Sequence, residues 1–215
     1  MTKDEVIYRI KQELDDQGVF FTDVDIYDSL EDGYDLISLL TGCISKVTTH
    51  AFTSGKVYYN LLTNIPDYYR PLAIYDPNQR QFIEPIGLIK LESLDEKWDT
   101  SNGTPHFFIP LPMHQIAFYP HYYTAPSQNF RIFYEASAPD IADVSSFSIP
   151  VHTQQVLIDY TVSDLFDQAL EINKSQKLWG DFLENLARTR RAVQEIPFRD
   201  RIDQMAAMYY GTLDR

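Results

Sequence analysis

From Trp98 to Pro150 the chain alternates short aromatic runs with prolines: WDTSNGTPHFFIPLP, then IAFYP, then NFRIFYEASAP, then FSIP. Val, Ile, Tyr and Phe favour strands, whereas proline cannot donate to a ladder and is confined to strand edges, strand starts and bulges. The pattern therefore predicts edge-type strands. Because it leads straight into a long amphipathic helical pattern, a β unit must be set into a largely helical chain.

The helical parts carry their own punctuation. Thr2 with Glu5 has the capping-box form, and Val6, Ile7, Ile10 and Leu14 recur at helical spacing, which predicts a helix from about Asp4 to Asp16 ended by Gly18. Thr22-Asp23 can cap a second helix carrying Ile26, Leu30, Ile37 and Leu40, with Gly42 as its stop, so the two helices read as an antiparallel hairpin. Strand-like residues follow at 57–62, 72–75 and 81–83, with Asp76-Pro77-Asn78 as a turn. Leu88, Leu91, Leu94 and Trp98 suggest a short helix over that sheet. Beyond the β pieces, Val151 to about Asn173 forms one apolar stripe. A last helix, capped by Asn173 or Ser175, carries Leu178, Trp179, Phe182, Leu186 and Val193, and its Arg188–Arg191 end suits the negative pole of the helix dipole. Pro197 closes it, and 198–215 follows as an appended amphipathic arm.

The predicted fold is α+β: a helical bundle built from both ends of the chain, 1–56 and 151–196, with a central small β insertion at 57–150 and a C-terminal arm at 197–215. A length of 215 residues by itself favours one domain.

Composition narrows the function. A net charge of −13 and a pI near 4.6 argue against a grip on nucleic acid, which needs Lys and Arg to neutralise phosphates. Fifteen Tyr and thirteen Phe suit a chain with protein partners, since a tyrosine ring buries area while its hydroxyl stays hydrogen-bonded. No apolar run approaches the ~20 residues that span a bilayer, and the N-terminus has no signal-peptide core, so a cytoplasmic, unexported chain without membrane association is expected. Cys43 as sole cysteine leaves no internal disulfide and no cysteine-based zinc site.

Candidate chemistry is sparse. Asp23-Val-Asp25 opens an acidic stretch, but an EF-hand loop needs Gly sixth and Glu twelfth, where Asp28 and Tyr34 stand. His106, His114 and His121 fit no short zinc motif and read as exposed or core-edge residues. Cys43 with His50 could be imagined as thiolate and base, but a buried helix-end cysteine is the better reading. Glu92 and Asp95 are the ordinary pairing of a solvated helix face. Nucleophile elbow, P-loop, dinucleotide turn and His-Glu-x-x-His are all missing, so neither catalysis nor a cofactor nor a metal is expected.

The order of Trp98, Gly103, Pro105, Tyr119-Pro120, Tyr134, Ala138-Pro139 and Ile149-Pro150, between an N-terminal helical pair and two closing helices, resembles head-to-tail adaptor (connector, ring) proteins of tailed phages. It is similar to the adaptors of short-tailed phages related to tail tubular protein A and to the ring proteins of crAss-like phages. The resemblance implies a structural virion protein of the neck, assembled in the host cytoplasm, that forms a ring, usually of twelve copies, between portal and tail. DNA would pass through without specific binding during retention and ejection. It further implies that helical units pack side by side around a channel, that the β part faces the next tail ring or nozzle protein, and that a C-terminal arm docks on the portal. In position that arm corresponds here to Phe198, Arg199, Ile202, Met205, Met208, Tyr209 and Tyr210, while Tyr119, Tyr122 and Tyr123 are candidates for the tail or neighbour interface. The alternatives are another tail or nozzle component, or a carbohydrate-binding or hydrolytic protein with an aromatic β face.

Overall fold

The computed structural model describes residues 1–15, 20–122 and 128–195. In chain order its elements are α1 (Lys3–Leu14), α2 (Asp23–Thr41), β1 (Ser45–Phe52), β2 (Tyr58–Asn60), β3 (Tyr68–Asp76), β4 (Gln81–Pro85), α3 (Leu88–Leu94), β5 (Asn102–Gly103), β6 (Phe107–Leu111), β7 (Gln115–Tyr119), β8 (His121–Tyr122), β9 (Gln128–Ala136), α4 (Gln155–Gln168) and α5 (Ile172–Gln194). They fall into two units, one formed by 1–44 with 137–195 and one by 45–136.

The first two helices start where local chemistry says they should. Thr2 Oγ1 accepts from the Glu5 N–H at 3.2 Å while Glu5 Oε2 accepts from the Thr2 N–H at 2.7 Å. Thr22 and Asp25 repeat the device at the head of α2, and Gly42 ends that helix at φ 65°, a conformation glycine reaches without a Cβ penalty. Helix α1 stops earlier than expected, with Asp15 in the left-handed region at φ 50°; Gly18 lies outside the described residues. The two helices do not pair with each other as a hairpin. Each packs on α4, whose Val156, Leu157, Ile158, Val162 and Leu165 are completely buried or nearly so. The expected continuous helix from 151 to 173 is also interrupted. It begins as a 3-10 turn, Val151–Thr153, and breaks at Leu170, φ 61°. Helix α5 then starts at Ile172, without a side-chain cap from Asn173 or Ser175. Its contact with α4 includes a buried charge: Asp159 accepts from the side-chain amides of Gln155 at 3.0 Å and Asn185 at 2.6 Å.

The fold class differs from the expected one. In place of a helical bundle with a small β insertion, the described residues form a mixed α/β structure with five α-helices and a seven-stranded curled sheet, a half-barrel, in the order β1-β9-β3-β4-β6-β7-β2. All neighbours are antiparallel except β4 with β6. Two physical facts account for the difference. Strand β1 is polar along most of its length, SKVTTHAF, because it is an edge strand held only by β9, and it lies in a stretch taken for the end of the helical region. The prolines, in turn, do not confine their strands to edges. Pro71 sits inside β3 at a register shift against β9, and Pro110 lies in β6 beyond the point where the β4 ladder has ended, positions that need no N–H from the proline.

The curl is visible in the core. Phe52 on one edge strand and Tyr59 on the other lie ring to ring at 4.6 Å, and Phe52 also meets Phe118 at 4.8 Å and Phe130 at 5.1 Å, all edge to face. The Tyr59 hydroxyl donates to the Thr53 carbonyl at 2.6 Å, and burial pushes its phenol up to about 12. A flat sheet would hold those edges several strands apart, since neighbouring strands are ~4.8 Å apart. A second cluster of Ile86, Leu91, Trp98, Ile109 and Ala117 seats α3. Trp98 belongs to a 3-10 turn after that helix, not to the helix itself.

Candidate functional site

The structure separates the residues singled out from the sequence. Tyr119 ends β7, stacks on Phe107 with centroids 6.5 Å apart, and donates its hydroxyl to Asp95 Oδ2 at 3.1 Å. The same Asp95 oxygen accepts from the Ser101 hydroxyl at 2.6 Å. Ser101, followed by the Lys97 N–H, holds the Asp95 carboxyl below the usual range, and burial and then Asp95 raise the Tyr119 phenol. Tyr119 is thus half-buried and tied to its own unit. Tyr122 continues the chain into β8, where its backbone pairs with Gly103; its side chain and all of Tyr123 lie outside the described residues. Phe198, Arg199, Ile202, Met205, Met208, Tyr209 and Tyr210 also lie outside them.

The histidines do not converge on a metal site. His106 is exposed, His114 places Nδ1 3.3 Å from the Tyr69 carbonyl oxygen, and His121 is buried in β8. Among the described residues no group of His, Cys, Asp or Glu is arranged to hold a metal ion. Cys43 is half-buried where a buried cysteine was expected.

A concave feature lies in the helical unit, between α4 and the start of α5. It encloses about 410 Å³ and is lined by Tyr160, Asp164 and Asp167 from α4 and by Gln176 and Trp179 from α5. Its aromatic wall is built in place. The Tyr160 ring lies over Gly33 so closely that a Cβ there would fall 2.4 Å from it, and it packs on Phe182 at 5.3 Å and Trp179 at 6.2 Å. The Ser163 hydroxyl donates to the Ser175 carbonyl at 3.0 Å and fixes the turn between the helices. Trp179 keeps 43% of its surface exposed, a large uncovered area for an indole. The lining holds two carboxylates and no cation. Burial, then the negative charges of Asp164 and Asp32, push the Tyr160 phenol above its ordinary value.

Sequence reasoning placed Trp179 on a helix stripe and left Tyr160, Asp164 and Asp167 unremarked. The signal that could have found them is the spacing of Tyr160, Asp164 and Asp167, one helical face at i, i+4 and i+7 in a segment otherwise built of core residues.

Large apolar side chains stand exposed on both units. The helical unit shows Tyr8, Leu170, Ile172, Trp179 and Leu183, and the β unit shows Tyr58, Phe82, Ile89, Leu94 and Met113 at the β6–β7 turn. Among the described residues no helix is long and apolar enough to cross a membrane. A scan against protein-family models and a search of curated proteins both return no match for this chain.

Proposed function

We propose that this chain is a structural virion protein, a head-to-tail adaptor that forms a ring between a portal and a tail ring or nozzle. The observation that carries the reading is the distribution of exposed apolar side chains, Ile172, Trp179 and Leu183 on one unit and Phe82, Ile89 and Met113 on the other, on a chain of net charge −13. An adaptor needs adhesive surfaces toward more than one protein partner and an otherwise acidic exterior that DNA passes without sticking. Beyond a Debye length of ~8 Å in physiological salt such a wall exerts little force on DNA. Contacts between different faces of identical chains that close on themselves make rings. The resemblance in the order of Trp98, Gly103, Pro105, Tyr119-Pro120, Tyr134 and Ala138-Pro139 supports the same reading, with no catalytic role, cofactor or metal.

The test is the mass of the purified full chain, alone and mixed with a portal ring. The expected result is a stoichiometric multiple of 25.0 kDa bound to the portal, with no salt-dependent affinity for duplex DNA. A chain that stays monomeric with portal and tail proteins, and binds an oligosaccharide, would overturn the proposal.

A further inference from the structure

Helix α5 carries two chemically complementary ends. Its first turns contribute Trp179 and Gln176 to the acidic aromatic cleft, and its last turns carry Arg188, Arg190 and Arg191. Arg188 is engaged within its own helix, donating to Glu184 and Asn185. Arg190 and Arg191 are exposed and have no carboxylate partner among the described residues, in a chain that holds thirty-one acidic residues. Arg190 stands eleven residues beyond Trp179, about three turns and ~16 Å along the axis, so the two share one face of α5. Between them on that face Leu183 is half exposed and Leu186 is incompletely buried. The stripe is therefore apolar in the middle, acidic and aromatic at one end and basic at the other.

We infer that the cleft between α4 and α5 takes the guanidinium of Arg190 from a second copy of this chain, with Arg191 beside it, in a head-to-tail contact. This rests on the ring reading and names one of its subunit contacts. The chemistry matches at each point. A guanidinium is planar and weakly hydrated, so it can stack on the Tyr160–Trp179 wall while its fork of N–H donors meets Asp164 and Asp167. Both residue classes the contact needs are exposed on every copy, and because they lie at separate places each copy can give one arginine and receive another. Such a heterologous contact can close into a ring. A neutral sugar would also stack on Trp179 and Tyr160, but it would leave a cation-free acidic lining without its complement.

Charge reversal tests the contact on the full-length chain, with assembly followed by sedimentation and Trp179 emission as a local probe. Arg190→Glu with Arg191→Glu should weaken self-assembly at least tenfold, as should Asp164→Arg with Asp167→Arg, and the two reversals combined in one chain should recover most of the loss. All five side chains changed or probed, Arg190, Arg191, Asp164, Asp167 and Trp179, are on exposed or partly exposed positions, and circular dichroism checks that each variant is folded. If wild type assembles on a portal but both reversals assemble equally well, the contact is refuted and the ring reading survives. If wild type remains monomeric, a peptide of residues 184–195 is titrated instead: a shift in Trp179 emission that its Arg→Glu version does not give supports the cleft assignment although the ring reading has failed. No response to that peptide, a response to a neutral oligosaccharide alone, or an assembly that stops at a dimer overturns the inference.

Discussion

Replacing Phe52 by Ala tests whether the curled sheet is closed by its aromatic core. Phe52 is 1% exposed and meets Tyr59, Phe118 and Phe130 at 4.6, 4.8 and 5.1 Å, so it links the two edge strands across the curl. Truncating a buried phenylalanine costs about 3–5 kcal/mol, of which each edge-to-face contact accounts for about 0.5–1.5 kcal/mol. For a chain of this length that lowers the melting temperature of the unit by about 6–20 °C, at about 2–4 °C per kcal/mol. Phe82→Ala is the control, because Phe82 is 47% exposed although it too has aromatic neighbours, Tyr75 and Phe133; its cost should stay near 1 kcal/mol. Denaturant unfolding in a Trp179→Phe background isolates Trp98, which is buried in the β unit and reports on it alone. A Phe52→Ala cost no larger than that of Phe82→Ala would refute the argument that these rings close the sheet.

Three further outcomes are expected. Asp67 is pushed up by burial but held below its ordinary value of 3.8 by the Lys46 ammonium and the Tyr134 hydroxyl, the latter donating at 3.0 Å. Because its folded pKa is depressed, its contribution is full above the unfolded value and disappears as pH falls through the folded one. Asp67→Asn should thus cost up to about 1 kcal/mol at pH 7 and nothing at about pH 2, read from urea midpoints at both pH values. Gly33→Ala should displace the Tyr160 ring, costing about 1–3 kcal/mol and changing Trp179 emission, since the new Cβ would fall 2.4 Å from that ring. Deleting residues 198–215 should leave the circular dichroism and melting of 1–197 intact while abolishing co-sedimentation with a portal; normal joining would remove the arm from the docking role.

Much of the helical unit was legible because its signals are local. Thr2 with Glu5, the Thr22-Asp23 cap of α2, and Gly42 each act within one turn of chain, so the sequence alone reveals them, although the partner that completes the second capping box, Asp25, emerged only from the structure. Strand β1 was not legible, since a polar run such as Ser45–Phe52 becomes a strand only through pairing with Gln128–Ala136, more than seventy residues away. The size of the sheet was hidden for the same reason: Pro71 and Pro110 are tolerated in inner strands by a register shift and a truncated ladder that only the tertiary pairing creates. The α4–α5 cleft escaped notice because Tyr160 and Trp179 meet across a helix turn set by Leu170 at φ 61°, a conformation rare enough outside glycine that no sequence rule anticipates it.

The most direct test of the adaptor proposal is electron microscopy of the full chain mixed with a portal ring. The account predicts closed rings of this chain, seated coaxially on the portal with an open central channel, and the same rings lost when Arg190 and Arg191 are both changed to Glu. Portal rings that remain bare while this chain stays as free 25.0 kDa particles would contradict it.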